Sequence, residues 1–82
     1  MELEIISPDK VIFSGEVTSV TLPGAAGQFE VLPHHAALIS SLKSGEIIYM
    51  TPKGENKIGI DSGFAEVKAD KVSVCIEKVI VR

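Results

Sequence analysis

Eighty-two residues with 45% hydrophobic content and a net charge of −3 describe one small domain with enough apolar material for a core. Acids and bases are interspersed, with neither a basic patch nor an aromatic platform, which argues against a nucleic-acid partner. The single cysteine, Cys75, excludes an internal disulfide and fits a reducing compartment. Met1-Glu2-Leu3-Glu4 is acidic where a secretory signal is basic, and no apolar run approaches the ~20 residues of a membrane span. A soluble chain, or one peripheral on a larger assembly, is expected.

The apolar content is mostly Val, Ile and Leu, a bias that favours strands. Leu3 and Ile5 alternate with Glu2 and Glu4 until Ser7-Pro8-Asp9, where proline removes a donor and fixes φ. Val11-Ile12-Phe13 and then Ser14-Gly15 follow. Val17 to Leu22 predicts a strand in which Val20 and Leu22 share a face; Val17 has the wrong parity, which points to a bulge. Pro23-Gly24-Ala25-Ala26-Gly27 predicts a loop in which the glycines take positive φ. Phe29-Glu30-Val31 alternates again. Ala36 to Lys43 fits a helix or a strand equally, having no cap and ending at Ser44-Gly45. Ile47 to Met50 and Lys57 to Ile60 flank a hairpin signal, Thr51-Pro52-Lys53-Gly54-Glu55. Asp61-Ser62-Gly63 reads as a tight turn. Phe64 to Lys68 and Lys71 to Glu77 flank Ala69-Asp70, with Val72, Val74 and Ile76 on one face and Ser73 and Cys75 on the other. Val79-Ile80-Val81 closes the chain. About nine or ten short strands at this spacing predict an all-β fold, one domain over residues 1–82, built as two sheets packed face to face.

Both histidines lie in one stretch, GQFEVLPHHAALI, from Gly27 to Ile39. Adjacent residues on a strand point to opposite faces, so His34 and His35 do not readily chelate one metal, and zinc needs further ligands. No motif supplies a nucleophile and an orienting partner for a catalytic histidine. The plain reading is one histidine packed or hydrogen-bonded and the other exposed, where it can meet a partner. Cys75 reads as a small hydrophobe within a strand. No Lys-Ser/Thr pair follows Gly24 and Gly27, so they do not form a phosphate loop. Lys71 beside a hairpin resembles the modified lysine of a lipoyl or biotinyl carrier domain, an alternative weakened by its position near the end and by the missing Met-Lys-Met or Asp-Lys-Ala signature. The run Ala36 to Leu42 is apolar or small on both faces; such a strand in a thin sandwich calls for central burial or for a partner over its outer face. No catalytic, cofactor or metal site is expected.

A family resemblance rests on several short motifs read in order. They are Ile6-Ser7-Pro8, Phe13-Ser14-Gly15-Glu16-Val17, Val20-Thr21-Leu22-Pro23-Gly24, Gly27-Gln28-Phe29, Leu32-Pro33-His34-His35-Ala36 with Leu38, Leu42-Lys43-Ser44-Gly45, and Asp61-Ser62-Gly63-Phe64-Ala65-Glu66-Val67. Together they resemble the epsilon subunits of bacterial F-type ATP synthases, over Leu3 to Arg82. The resemblance implies a ten-stranded β-sandwich at the foot of a central stalk. Such a domain does no chemistry, contacts a gamma subunit and a ring of c subunits, and couples proton-driven rotation to ATP synthesis in an alpha/beta head. It implies a gamma-facing strand through His35, Ala36, Leu38, Ile39 and Ser40, and a loop resting on the c-ring through Gly27, Gln28, Phe29 and Glu30. His35 is expected at the interface and His34 in solvent. A peripheral place on the cytoplasmic face of a bacterial inner membrane follows from the same resemblance. Three departures stand out. Gln28 replaces a commonly acidic residue, Ala37 replaces a proline, and the sequence reaches Arg82 without the two-helix C-terminal domain of most relatives, which fits a naturally short form or a truncated chain equally; inhibition by those helices and ATP binding there are not carried over.

Overall fold

Period-two burial decides the elements. In the computed structural model, which describes residues 1–80, Leu3 and Ile5 are fully buried while Glu2 is exposed, and Val72, Val74 and Ile76 are buried while Lys71 and Cys75 are not. That is the signature of strands with one face on a core. Ten strands follow in chain order: β1 Glu2–Ser7, β2 Lys10–Glu16, β3 Ser19–Gly24, β4 Gly27–Val31, β5 Leu38–Leu42, β6 Gly45–Thr51, β7 Gly54–Ile60, β8 Gly63–Lys68, β9 Lys71–Ile76 and β10 Val79–Ile80. No helix occurs among the described residues, so the ambiguous run after the histidines is a strand, from Leu38 onward. Val81, expected in the last strand, lies outside the described residues.

The strands form two layers, β10-β7-β6-β3-β4 and β5-β8-β9-β1-β2. The layers are not separate sheets. Strand β3 pairs β6 through Ser19–Thr21 and β4 through Val20–Gly24, and its last residue, Gly24, reaches Leu42 of β5. One ladder thus curls from the first layer into the second. The β1–β9 pair is parallel; the others are antiparallel. Between the layers Leu3, Ile5, Val20, Leu22, Val31, Ile47, Ile60, Val67, Val72 and Val74 are all but sealed from solvent. Each such side chain contributes about 1.5–3 kcal/mol of hydrophobic stabilisation. The Phe13 and Tyr49 rings, 4.5 Å apart, join the two layers at one end.

Three local expectations change. Val17 is buried, but in the crossover before β3, where its amide donates to the Met1 carbonyl at 2.9 Å; the register shift lies instead between the pairs Ile5–Phe13 and Ile6–Val11, where β2 carries the extra residue Ile12. The loop expected at Pro23–Gly27 shrinks to the turn Ala25-Ala26, because β3 continues to Gly24 and β4 starts at Gly27. Gly27 has φ +136°, but Gly24 is there for space: a Cβ would sit 2.6 Å from the Gly27 carbonyl oxygen and 2.8 Å from the Phe29 ring.

Candidate functional site

Strand β5 alternates more regularly than its sequence suggests. Leu42 is buried, Leu38 packs on the core and Ser40 is half-buried opposite Ala65, so these three face inward. Ile39, 72% exposed, and Ser41 face outward. A serine inside and an isoleucine outside make the run look two-sided. One edge of β5 pairs β8 along its whole length; on the other edge only the end is tied down. There the Ala25 amide donates to the Ser41 carbonyl at 2.8 Å and the Lys43 amide to the Pro23 carbonyl at 2.9 Å.

The cross-strand register then assembles a surface that no single segment shows. Ser41 lies opposite Phe64, Phe64 opposite Cys75, Cys75 opposite Ile6, and Ile6 opposite Val11. Directly paired residues point to the same face. An uncharged row therefore crosses all five strands of the second layer on its outer side, with Phe64 52% and Val11 58% exposed. A shallow apolar depression of about 310 Å³ lies along it, lined by Ile6, Pro8, Phe64, Cys75 and Ile76, with Glu77 at its margin. The next row, Ile39-Glu66-Ser73-Glu4-Ser14, is polar apart from Ile39. Contiguous exposed apolar surface on a small domain marks an interaction face. Sequence reading missed Phe64, Ile6, Cys75 and Val11 as a group. The available signal was the parity of Phe64, an aromatic one step off the buried positions Ala65 and Val67.

The residues expected as a loop, Gly27, Gln28, Phe29 and Glu30, belong to β4, which pairs only β3 and so forms the free end of the first layer. Gln28 and Glu30 point to solvent; Phe29 turns inward against Gly24 and the core. The link from β4 to β5, residues 32–37, is exposed throughout and has no regular structure. His34 and His35 lie on this link rather than on a strand, so the alternation argument does not apply to them: both are exposed. His34 has φ 67°, and the His35 ring nitrogen Nδ1 lies 2.7 Å from the Ala36 carbonyl oxygen. The His34 amide donates to Asp70 Oδ1 at 3.2 Å. That bond, helped by the Met1 ammonium 3.6 Å from Oδ2, holds the Asp70 carboxyl below its ordinary range. The ammonium itself is pushed up, first by its bond to Glu16 at 3.2 Å. Cys75 is exposed on β9 and Lys71 stands just past the Ala69-Asp70 turn. Among the described residues, no three His, Cys, Asp or Glu side chains gather as metal ligands.

The geometry is that of an all-β sandwich with one uncharged row across an outer face and a polar free end. Residues 1–82 match the family profile of the ATP synthase, Delta/Epsilon chain, beta-sandwich domain, and the chain belongs to that family. It is 52% identical over 75 residues to the ATP synthase epsilon chain of Campylobacter jejuni, covering 90% of this chain and 58% of that one. It is 42% identical over 79 residues to the epsilon chain of Chlorobium limicola, covering 95% and 90% respectively. The chain thus spans little more than half of the first relative and most of the second. In three dimensions it is similar to a chain of the Euglena gracilis mitochondrial ATP synthase, solved by cryo-electron microscopy with OSCP, F1 and c-ring. The TM-score is 0.87 at 23% identity, over 95% of this chain and 51% of that one, a likeness of fold.

Proposed function

We propose that this domain is a non-catalytic rotor component of an F-type ATP synthase, docked to a gamma subunit and to a c-ring. In this role it couples proton-driven rotation of the ring to ATP synthesis in the alpha/beta head. The observation that carries the reading is the uncharged outer row Ser41-Phe64-Cys75-Ile6-Val11, flanked by Ile39, on a member of the Delta/Epsilon family. On this reading the gamma subunit covers that face. His35 and Ala36 approach it from the exposed link, Ile39 contacts it directly, and Leu38 and Ser40 support the strand from inside. The polar end of the first layer, with Gly27, Gln28 and Glu30 exposed, faces the c-ring, and Phe29 anchors it to the core.

The mechanics follow from packing. Torque crosses an interface only if neither partner yields, and a core at crystal-like density deforms little. The ladder running through β3 into both layers joins the gamma-facing side to the c-ring-facing end without a hinge. Apolar contact supplies affinity, and the polar end sets register more than strength. The assembly is peripheral to a membrane, on the cytoplasmic face of a bacterial inner membrane. The test is gamma binding in solution by Ile39→Glu and Lys53→Glu. The first lowers affinity by about tenfold or more, as loss of an interface anchor does; the second leaves it within about twofold. Equal effects remove the assignment of the docking face.

A further inference from the structure

Residues 32–37 carry the two histidines and are exposed throughout. Within the link, the His35 amide donates to the Leu32 carbonyl at 3.2 Å, which only closes a local turn. The hydrogen bond found from this backbone to another element runs from the His34 amide to Asp70 Oδ1, across 36 residues of sequence. Asp70 is unusually placed to accept it. With φ 61° it forms, together with Ala69 at φ 51°, the two-residue turn between β8 and β9. Left-handed backbone at two successive non-glycine residues is the conformation of a tight hairpin turn whose ordinary choice is Asn-Gly or Asp-Gly. Glycine at the second position would relieve the backbone but would supply no acceptor. The same aspartate receives the Glu2 amide on its carbonyl at 3.1 Å, and its Oδ2 faces the Met1 ammonium at 3.6 Å. One side chain therefore ties the link to the β8–β9 turn and to the start of β1.

We infer that Asp70 is a positioning residue for the docking face: its carboxylate fixes His34 in its left-handed conformation and thereby sets the path by which His35 and Ala36 enter β5. This rests on the gamma-docking reading above. A segment ordered before binding loses less conformational freedom on docking, so freeing it lowers affinity without removing a contact.

Two measurements on the whole chain test this, one without a partner. Amide hydrogen exchange of His34 to Ala37 reports the tether alone; affinity for gamma reports its consequence. Asp70→Gly keeps the turn, relieves its backbone and deletes the acceptor, so His34 exchange accelerates and gamma affinity falls, each by about tenfold, close to the lower end expected for a hydrogen bond to a charged acceptor. Asp70→Asn keeps an acceptor oxygen and a residue that tolerates left-handed backbone, and restores most of both. Glu16→Gln, which neutralises the ammonium's other partner, leaves His34 exchange at the wild-type rate. Unchanged His34 exchange in Asp70→Gly overturns the tether, and an equal acceleration in Glu16→Gln assigns it to the ammonium instead. Faster exchange with unchanged gamma affinity overturns the positioning role. Wild-type chain that fails to bind gamma overturns the docking reading itself, while the exchange data still decide the tether.

Discussion

The two outer faces of this sandwich are built from the same kind of strand and differ in a single row. On the first layer the outward rows are Lys57-Ile48-Thr21-Glu30 and Glu55-Met50-Ser19, where Lys57 pairs with Glu55 at 3.7 Å and the apolar members, Ile48 and Met50, are half-buried, each beside a charged residue. On the second layer the row from Ser41 to Val11 carries no charge across five strands. Composition barely separates the faces; register does. On the first layer each apolar residue is interrupted by a charge on the adjoining strand, whereas on the second Phe64, Cys75, Ile6 and Val11 fall side by side. The lesson is that an interaction surface on a β-domain is a property of pairing, invisible along any one segment.

The largest expected effect breaks both faces together. Leu3→Ala empties a fully buried position on the β1 strand that pairs with both β2 and β9. It costs about 2–5 kcal/mol of stability, read from urea unfolding, and lowers gamma binding only as far as folded protein is lost. Phe64→Asp comes next and separates the faces. Unfolding shifts by less than about 1 kcal/mol because the ring is half in solvent, while gamma affinity falls about 30-fold. The matching change on the other face, Lys57→Asp, leaves affinity within about twofold. Gly24→Ala acts on the free end instead. The added methyl has no room against Gly27 and Phe29, so stability falls by about 1–3 kcal/mol. Binding to isolated c-ring weakens while gamma binding by the folded fraction is unchanged.

The smallest effect is one of pH. The lowered Asp70 carboxyl contributes stability that is fully present above the ordinary carboxylate value and is lost as pH falls through its depressed value. The raised Met1 ammonium contributes stability that is lost as pH rises through its elevated value. Both groups are exposed, so the effects are small. Asp70→Asn flattens the acid side of the urea-midpoint profile relative to wild type and leaves the neutral region nearly unchanged.

Much of the fold was legible because burial repeats every two residues. The alternation in Leu3-Glu4-Ile5 and Val72-Ser73-Val74 located strands, and the turn residues at Pro52-Lys53 and Ala69-Asp70 located hairpins. What failed was local geometry set from a distance. Val17 looked out of register because it belongs to a crossover, and Gly24 looked like a turn residue because nothing nearby in sequence reveals the Phe29 ring against it. The apolar neighbours of the histidine pair suggest strand geometry, yet Leu32 to Ala37 are all exposed on a link. For the proposed docking face, the run containing Ile39 was visible as a segment, but its continuation through Phe64 to Val11 needed the pairing of β5, β8, β9, β1 and β2, which a single sequence does not display.

The chain carries its own reporter for the central claim. Cys75 is the one cysteine, exposed in the middle of the uncharged row. Its alkylation rate, followed by mass on the intact chain with and without saturating gamma subunit, tests whether that face is covered. Lys53→Cys in a Cys75→Ser background serves as the probe of the opposite side. Gamma is predicted to slow Cys75 labelling by tenfold or more, the protection expected of a residue inside a water-excluding interface, and to leave position 53 unchanged. Cys75 labelled at the same rate in the complex as in the free chain would contradict the account.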